Sequence, residues 1–196
     1  SGYNGDDLVF DGVDDYVNIG LAGYDFQNSQ SYVIYMKSNN VNRTQAFIGN
    51  WEVAGGGLFH DANGNIAYNG FNNTSDYVYS YSNKIIDNNY YYTIIGTYDG
   101  NNMKLYIDGV LYATSSNLSN LRNSSTYVSI GLNPPEKSDP GNISIKEALL
   151  YDRALTASEV QEITNNFDKK YNGPMTNILT TPTYEEIGNN QIRITY

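Results

Sequence analysis

The chain has no cysteine, and histidine and tryptophan occur once each in its 196 residues. Without a thiol there is no disulfide framework, no thiolate metal site and no cysteine nucleophile. A lone histidine, His60, cannot assemble a zinc site of the usual composition. A Ser-His-Asp triad would have to be built on it with no nucleophile elbow nearby, so His60 is expected to be structural or a surface residue. Basic residues are also scarce: 11 Lys and Arg against 21 Asp and Glu leave a net charge of −10. That balance repels phosphate backbones and anionic membrane surfaces, so no nucleic-acid partner is expected. No apolar run approaches the roughly 20 residues of a membrane-spanning helix, and no membrane insertion is expected. The first residues lack a basic region followed by an apolar one, and the expectation is a soluble chain from which any leader has gone.

What the chain has in plenty is tyrosine, 20 in all, together with Asn, Gly and Ser. Such side chains make a surface that hydrogen-bonds without much charge, as glycan-facing and virion proteins do, although an AT-rich genome also enriches Asn and Tyr. Runs of strand-forming residues recur with turn signals between them, at 7–10, 16–19, 31–37, 46–50, 57–60, 66–69, 77–81, 91–98, 103–107, 110–115, 126–131, 142–151 and 191–196. This spacing predicts an all-β, antiparallel sandwich of two sheets rather than alternating α/β units. Asp11-Gly12, Asp99-Gly100, Asp108-Gly109 and Asn63-Gly64 each end such a run and read as hairpin turns, because Gly accepts the positive φ of type I′ and Asp or Asn tolerates it best among the rest. These aspartates are therefore structural and not catalytic acids. The segment from Asp61 to Asn65 reads as a turn too, since its Gly is misplaced for a calcium loop and no bidentate Glu follows.

One helix stands out, at about 157–167. Thr156 is its N-cap with Glu159 three residues on, a capping box, while Leu155 and Val160 form a hydrophobic staple. Val160, Ile163 and Phe167 recur at helical spacing, so a short amphipathic helix docks at the end of a sheet.

The run GNISIKEALLYDRALTASEVQEI at 141–163, strand followed by capped helix, resembles the closing motif of laminin-G-like and pentraxin-like domains, which share the concanavalin A-type jelly roll. LVFDGVDDYVNIG at 8–20 is similar to the opening strand pair of laminin-G-like domains, and NYYYTIIGTYDG at 89–100 with KLYIDGVLYAT at 104–114 resembles their central hairpin. The resemblance covers most of residues 7–167. It departs at Tyr91, where many relatives carry Trp, at Tyr92 and Thr93, where they carry a His pair, and at Tyr35, where a buried Trp is usual. The domain is expected to span 1–168, with 169–196 a return segment that crosses at Pro174 and Pro182 and ends in a strand, packed on the same domain as in pentraxins or added to a neighbour's sheet edge.

Glycosidases on this sandwich use carboxylates about 5 Å apart across the scissile bond. Acids at two-residue spacing on a strand would deliver that pair, but no Glu-x-Asp-x-Glu run exists, and Glu147 with Asp152 falls out of register. The chain is therefore read as a non-enzyme. Calcium is the cofactor the resemblance implies, held on a rim loop before the closing strand. That loop is 133–139 here, where Glu136 and Asp139 could supply carboxylates and Asn133 a neutral ligand, with Asn50 or Glu52 approaching from elsewhere. Two prolines and a lysine replace the family's run of acids and amides, and a solvated loop is the alternative.

For sugar contact, Trp51 between Asn50 and Glu52 is the single best candidate, an aromatic ring flanked by planar polar partners. The alternative is that Trp51 caps the end of the sandwich. Tyr77, Tyr79 and Tyr81 alternate on one strand face, a stripe that more often packs a sheet or an interface than a sugar. Together these readings predict a non-catalytic binding or adhesion module directed to a glycan or surface polysaccharide and displayed outside a cell, on a cell surface or on a virus particle. The rival is a structural subunit, a decoration, fibre or surface-layer protein that self-associates through the sandwich. A glycoside hydrolase is third.

Overall fold

The structure is a computed structural model that describes residues 2–4, 7–20, 28–50, 55–72, 76–116, 121–123, 126–134, 137–172, 183–186 and 192–195. Its strands are β1 (Gly2–Asn4), β2 (Asp7–Asp11), β3 (Val17–Gly20), β4 (Gln30–Ser38), β5 (Gln45–Gly49), β6 (Gly56–His60), β7 (Asn65–Phe71), β8 (Tyr77–Ile85), β9 (Tyr92–Tyr98), β10 (Met103–Ile107), β11 (Val110–Ser115), β12 (Val128–Ile130) and β13 (Asn142–Tyr151). Helix α1 (Ala157–Tyr171) follows, then β14 (Thr183–Glu186) and β15 (Ile192–Thr195).

Two sheets carry the fold, one of seven strands in the order β1-β2-β13-β4-β9-β10-β11 and one of six in the order β3-β12-β5-β6-β7-β8. All their pairings are antiparallel. Between them lies one apolar core that includes Phe10, Tyr32, Ile34, Met36, Leu58, Ile66, Tyr68, Ile94 and Leu105. The expected jelly-roll sandwich with one helix is what forms. Within the expected return segment β15 pairs with β14 as a separate two-stranded sheet.

The seven-stranded sheet is covered on both faces. Its outer side receives α1, where Leu155, Val160 and Phe167 pack on Val33, Tyr35, Ile95 and Tyr106. This double burial explains why β4 and β9 read as nearly continuous apolar runs and not as alternation. The capping box is present: the Thr156 side chain accepts from the Glu159 N–H, and the Glu159 carboxylate accepts from the Thr156 N–H. The helix runs one turn past the expected end, with Lys169 and Lys170 in the last turn facing its negative pole.

The turns differ in kind. Asp108 and Gly109 both take positive φ, 50° and 76°, as type I′ demands, and the Asp108 carboxylate accepts from the Thr93 N–H. At the other three only the glycine does so. Asp11-Gly12 is not a hairpin at all, because β2 and β3 belong to different sheets and the chain crosses the sandwich there.

Candidate functional site

With α1 over the seven-stranded sheet, it is the outer face of the six-stranded sheet that carries the exposed tyrosines of β8. Register decides what gathers there. The Asp61–Gly64 connection pairs Phe59 with Ala67 and Gly57 with Asn69, and the next pairing sets Ala67 opposite Tyr81 and Asn69 opposite Tyr79. On the other side Ala46 meets Phe59 and Gly49 meets Gly57. Directly opposed residues share a face, so two cross-strand rows form on the outside: Ala46, Phe59, Ala67, Tyr81 and Gly49, Gly57, Asn69, Tyr79. Small residues in both rows keep the floor low between the taller rings.

The result is a groove of about 340 Å³ lined by Thr44, Phe59, Asp61, Asn69, Tyr77, Tyr79, Tyr81 and Asp139. Tyr77, Tyr79 and Tyr81 are 40%, 38% and 46% exposed. Their rings share a tilt of 24° at centroid separations of 5.9 and 5.2 Å, so they overlap like slats and form one aromatic strip along β8. Phe59 braces the strip from below, meeting Tyr79 and Tyr81 edge-on at 6.2 Å each, and Phe71 meets Tyr77 edge-on at 4.8 Å.

The polar groups of the groove are distinct in state. Asn69 is 1% exposed and its Oδ1 has no hydrogen-bond partner, a buried acceptor in the groove lining without a donor. Asp61 closes its own turn, accepting from the N–H groups of Asn63 at 2.8 Å and Asn65 at 3.0 Å. Partial burial works to raise the Asp61 pKa, but the hydrogen bonds from Asn65 and Asn63 outweigh it and hold the carboxyl below its ordinary range. The phenol of Tyr81 is pushed up, first by burial and then by the Asp61 charge. Asp139, at φ 51°, lies at the same end, its carbonyl accepting from the Ala46 N–H at 2.8 Å.

Of the sequence-derived site residues, Asp139 lines the groove. Trp51, Glu52 and Glu136 lie outside the described residues. Asn50 is fully buried, its Nδ2 donating to the Thr126 carbonyl at 3.3 Å, and any side chain at Gly55 would collide with its Oδ1. Its place is inside the turn and not on the surface. Asn133 is also fully buried, its backbone pairing with Ser138 in both directions. Of the expected calcium ligands, Asp139 is the one among the described residues that brings a carboxylate to the groove lining. Asp11, Asp14 and Asp15 gather their carboxylates within 4.8 Å of one another, but Asp11 and Asp15 accept from the turn's own N–H groups. His60 is structural as expected: buried, bonded through Nε2 to Ser38 and Gln45 and through Nδ1 to the Asp61 carbonyl. Glu147, on β13 of the other sheet, is taken up by Lys170 and the Tyr171 hydroxyl of α1.

The tyrosine stripe was visible in the sequence; its neighbours Phe59, Asn69, Asp61 and Asp139 were not. The one local signal for them was the Asn63-Gly64 turn, which sets the β6–β7 register once the turn length is known.

Comparison with known proteins matches residues 11–161 to a laminin-G-type family of the concanavalin A-like lectin/glucanases superfamily. No curated protein matches the chain in sequence. Among solved structures, the native heptameric SAP-like pentraxin from Limulus polyphemus superposes with a TM-score of 0.64 at 14% identity, over 81% of each chain. The botulinum neurotoxin serotype D ligand-binding domain, solved in complex with N-acetylneuraminic acid, gives 0.65 at 17% identity over 82% of this chain and 42% of its own. The binding domain of Paraclostridial Mosquitocidal Protein 1 gives 0.60 at 16% identity, over 83% of this chain and 46% of its own. The chain thus spans under half the length of these toxin domains, and at such identities the likeness is one of fold. With more than half of its length matched by the family and both sheets in place, the chain belongs to the concanavalin A-like lectin/glucanase superfamily.

Proposed function

We propose that this chain is a non-catalytic carbohydrate-binding module, displayed outside a cell or on a virus particle, and that it holds its glycan in the groove beneath the β8 tyrosines. The observation that carries the reading is the join of an exposed aromatic strip to a low floor containing an unpartnered acceptor, Asn69 Oδ1. Sugar rings offer apolar C–H faces to aromatic surface and hydroxyl donors to amides and carboxylates, and this groove supplies both kinds of partner. The two groove acids come from separate loops and serve turns. Trp51, two residues beyond Gly49 of the groove row, fits the same reading as an added contact. Calcium at the 133–139 loop would be held by Glu136, Asp139 and backbone oxygens.

Glycan-array binding by the wild type that is lost in Tyr79→Ala and kept in Tyr90→Ala, a change at an exposed tyrosine outside the groove, supports the proposal. Equal binding by the two variants counts against it. The position of the stripe on β8, the last strand of its sheet, favours a second reading in which the tyrosines hold a second copy of the chain. Sedimentation separates the two, since Tyr79→Ala would then dissociate an oligomer.

A further inference from the structure

We infer that the groove selects a saccharide carrying positive charge, an amino-sugar chain with free ammonium groups, over its neutral or acidic counterparts. This rests on the groove being the saccharide site proposed above and adds the ligand's charge. Both acids among its described lining residues, Asp61 and Asp139, are carboxylates at one end of the aromatic strip, and no Lys or Arg is among those residues. Neither acid is in an ion pair among the described residues, whereas the paired acids Asp7, Asp108, Glu147 and Glu159 all lie elsewhere. The cations nearest in sequence are engaged away from the groove: Arg43 donates to the Gly12 carbonyl and Lys137 sits 5.0 Å from the Tyr16 ring. Asp61 is held ionised by the amide donors of its own turn, so its charge persists through neutral pH.

The tyrosine strip adds to the same sign. Ring faces carry negative electrostatic potential, and an ammonium seated against them is attracted where a carboxylate is repelled. Beyond the groove the chain's net charge of −10 extends the field, concentrating cations and excluding acidic sugars. Asn69 Oδ1 is an acceptor, and both ammonium and hydroxyl groups are donors that would satisfy it. An acidic sugar would bring its carboxylate against Asp61 and Asp139 with no cation in the groove lining to offset it.

The test is calorimetry on the full chain with three probes of equal length: a glucosamine oligomer, its fully N-acetylated form and a uronic-acid oligomer, each at low and at physiological salt. The expected order is glucosamine tightest by about five- to tenfold over the N-acetylated form, the scale of exposed cation–π and ion-pair contributions combined. Added salt should shrink that ratio. Asp139→Asn, which keeps a residue tolerant of positive φ, should lower it toward one by weakening glucosamine binding more than N-acetylated binding, and Asp61→Asn should act the same way. A melting curve for each variant separates charge loss from unfolding. Equal or tighter binding of the neutral or acidic oligomer overturns the charge inference while leaving the saccharide site standing. Binding of polylysine with no binding of any oligosaccharide by the folded wild type overturns both.

Discussion

Gly96 sits in β9 with the ring of Tyr68 pressed against it: a Cβ placed there would come within 2.7 to 2.9 Å of three ring atoms. Tyr68 has nowhere to retreat. It is fully buried, its hydroxyl receives the Gln30 Nε2–H at 3.1 Å, and its ring meets Tyr32 edge-on at 6.0 Å. Gly96→Ala should therefore destabilise by about 2 kcal/mol, the ordinary cost of overpacking a filled core. For a domain of this size that corresponds to a melting point lower by roughly 4–8 °C. The control is Tyr68→Leu, which is destabilising by itself but removes the obstructing ring. In that background Gly96→Ala should cost under about 0.5 kcal/mol, a non-additivity expected only if the two side chains collide. Urea unfolding of the four proteins measures it. Tyr68 lies between Ala67 and Asn69, so the same change should also disturb the groove lining from behind. Additive costs, or a Gly96→Ala protein as stable as wild type, would refute the packing argument.

Phe167→Ala, which removes the α1 ring tilted by 31° against Tyr35 at 5.5 Å, should cost about 3 kcal/mol in chemical unfolding. Arg153, with its Nη2 2.6 Å from Glu159, and then the Thr156 cap hold the Glu159 carboxyl down to about 2. Because its folded pKa is depressed, the contribution of this group is present above its ordinary value of 4.5 and is lost as pH falls toward 2; an NMR titration should find the low midpoint, and Arg153→Ala should raise it. Burial, outweighing the bond to the Asp61 carbonyl that works to raise it, pushes the His60 pKa below its ordinary 6.5. The unfolded chain then binds the proton more readily, so stability is full above 6.5 and declines as pH drops below it until the folded value is reached. The difference in melting point between wild type and His60→Gln should show that window, and a flat difference across it would contradict the assignment.

Strand runs and punctuating turns were legible in the sequence because sheet residues alternate or, in β4 and β9, are apolar throughout, and because Asp108-Gly109 leaves few backbone options. The helix was legible because Thr156, Glu159, Leu155 and Val160 act within one turn of chain. What was not legible depends on contacts between distant strands. Nothing local in Phe59 or Asn69 says that each stands beside a tyrosine of β8; only the register of two successive hairpins does. Asn50 shows the converse: beside Trp51 a polar residue reads as a contact, while in the fold its side chain is buried against Gly55 and donates to the Thr126 carbonyl. β1 and β14, of three and four residues, are too short to display a period.

The claim that the groove is a saccharide site is tested most directly by backbone-amide NMR, titrating the labelled chain with the oligosaccharide it binds best. Shifts should concentrate on Gly57, Phe59, Asn69, Tyr79 and Tyr81, residues of three strands that share the groove face. Shifts confined to the 133–139 loop or to α1, with these amides unmoved at saturation, would contradict it.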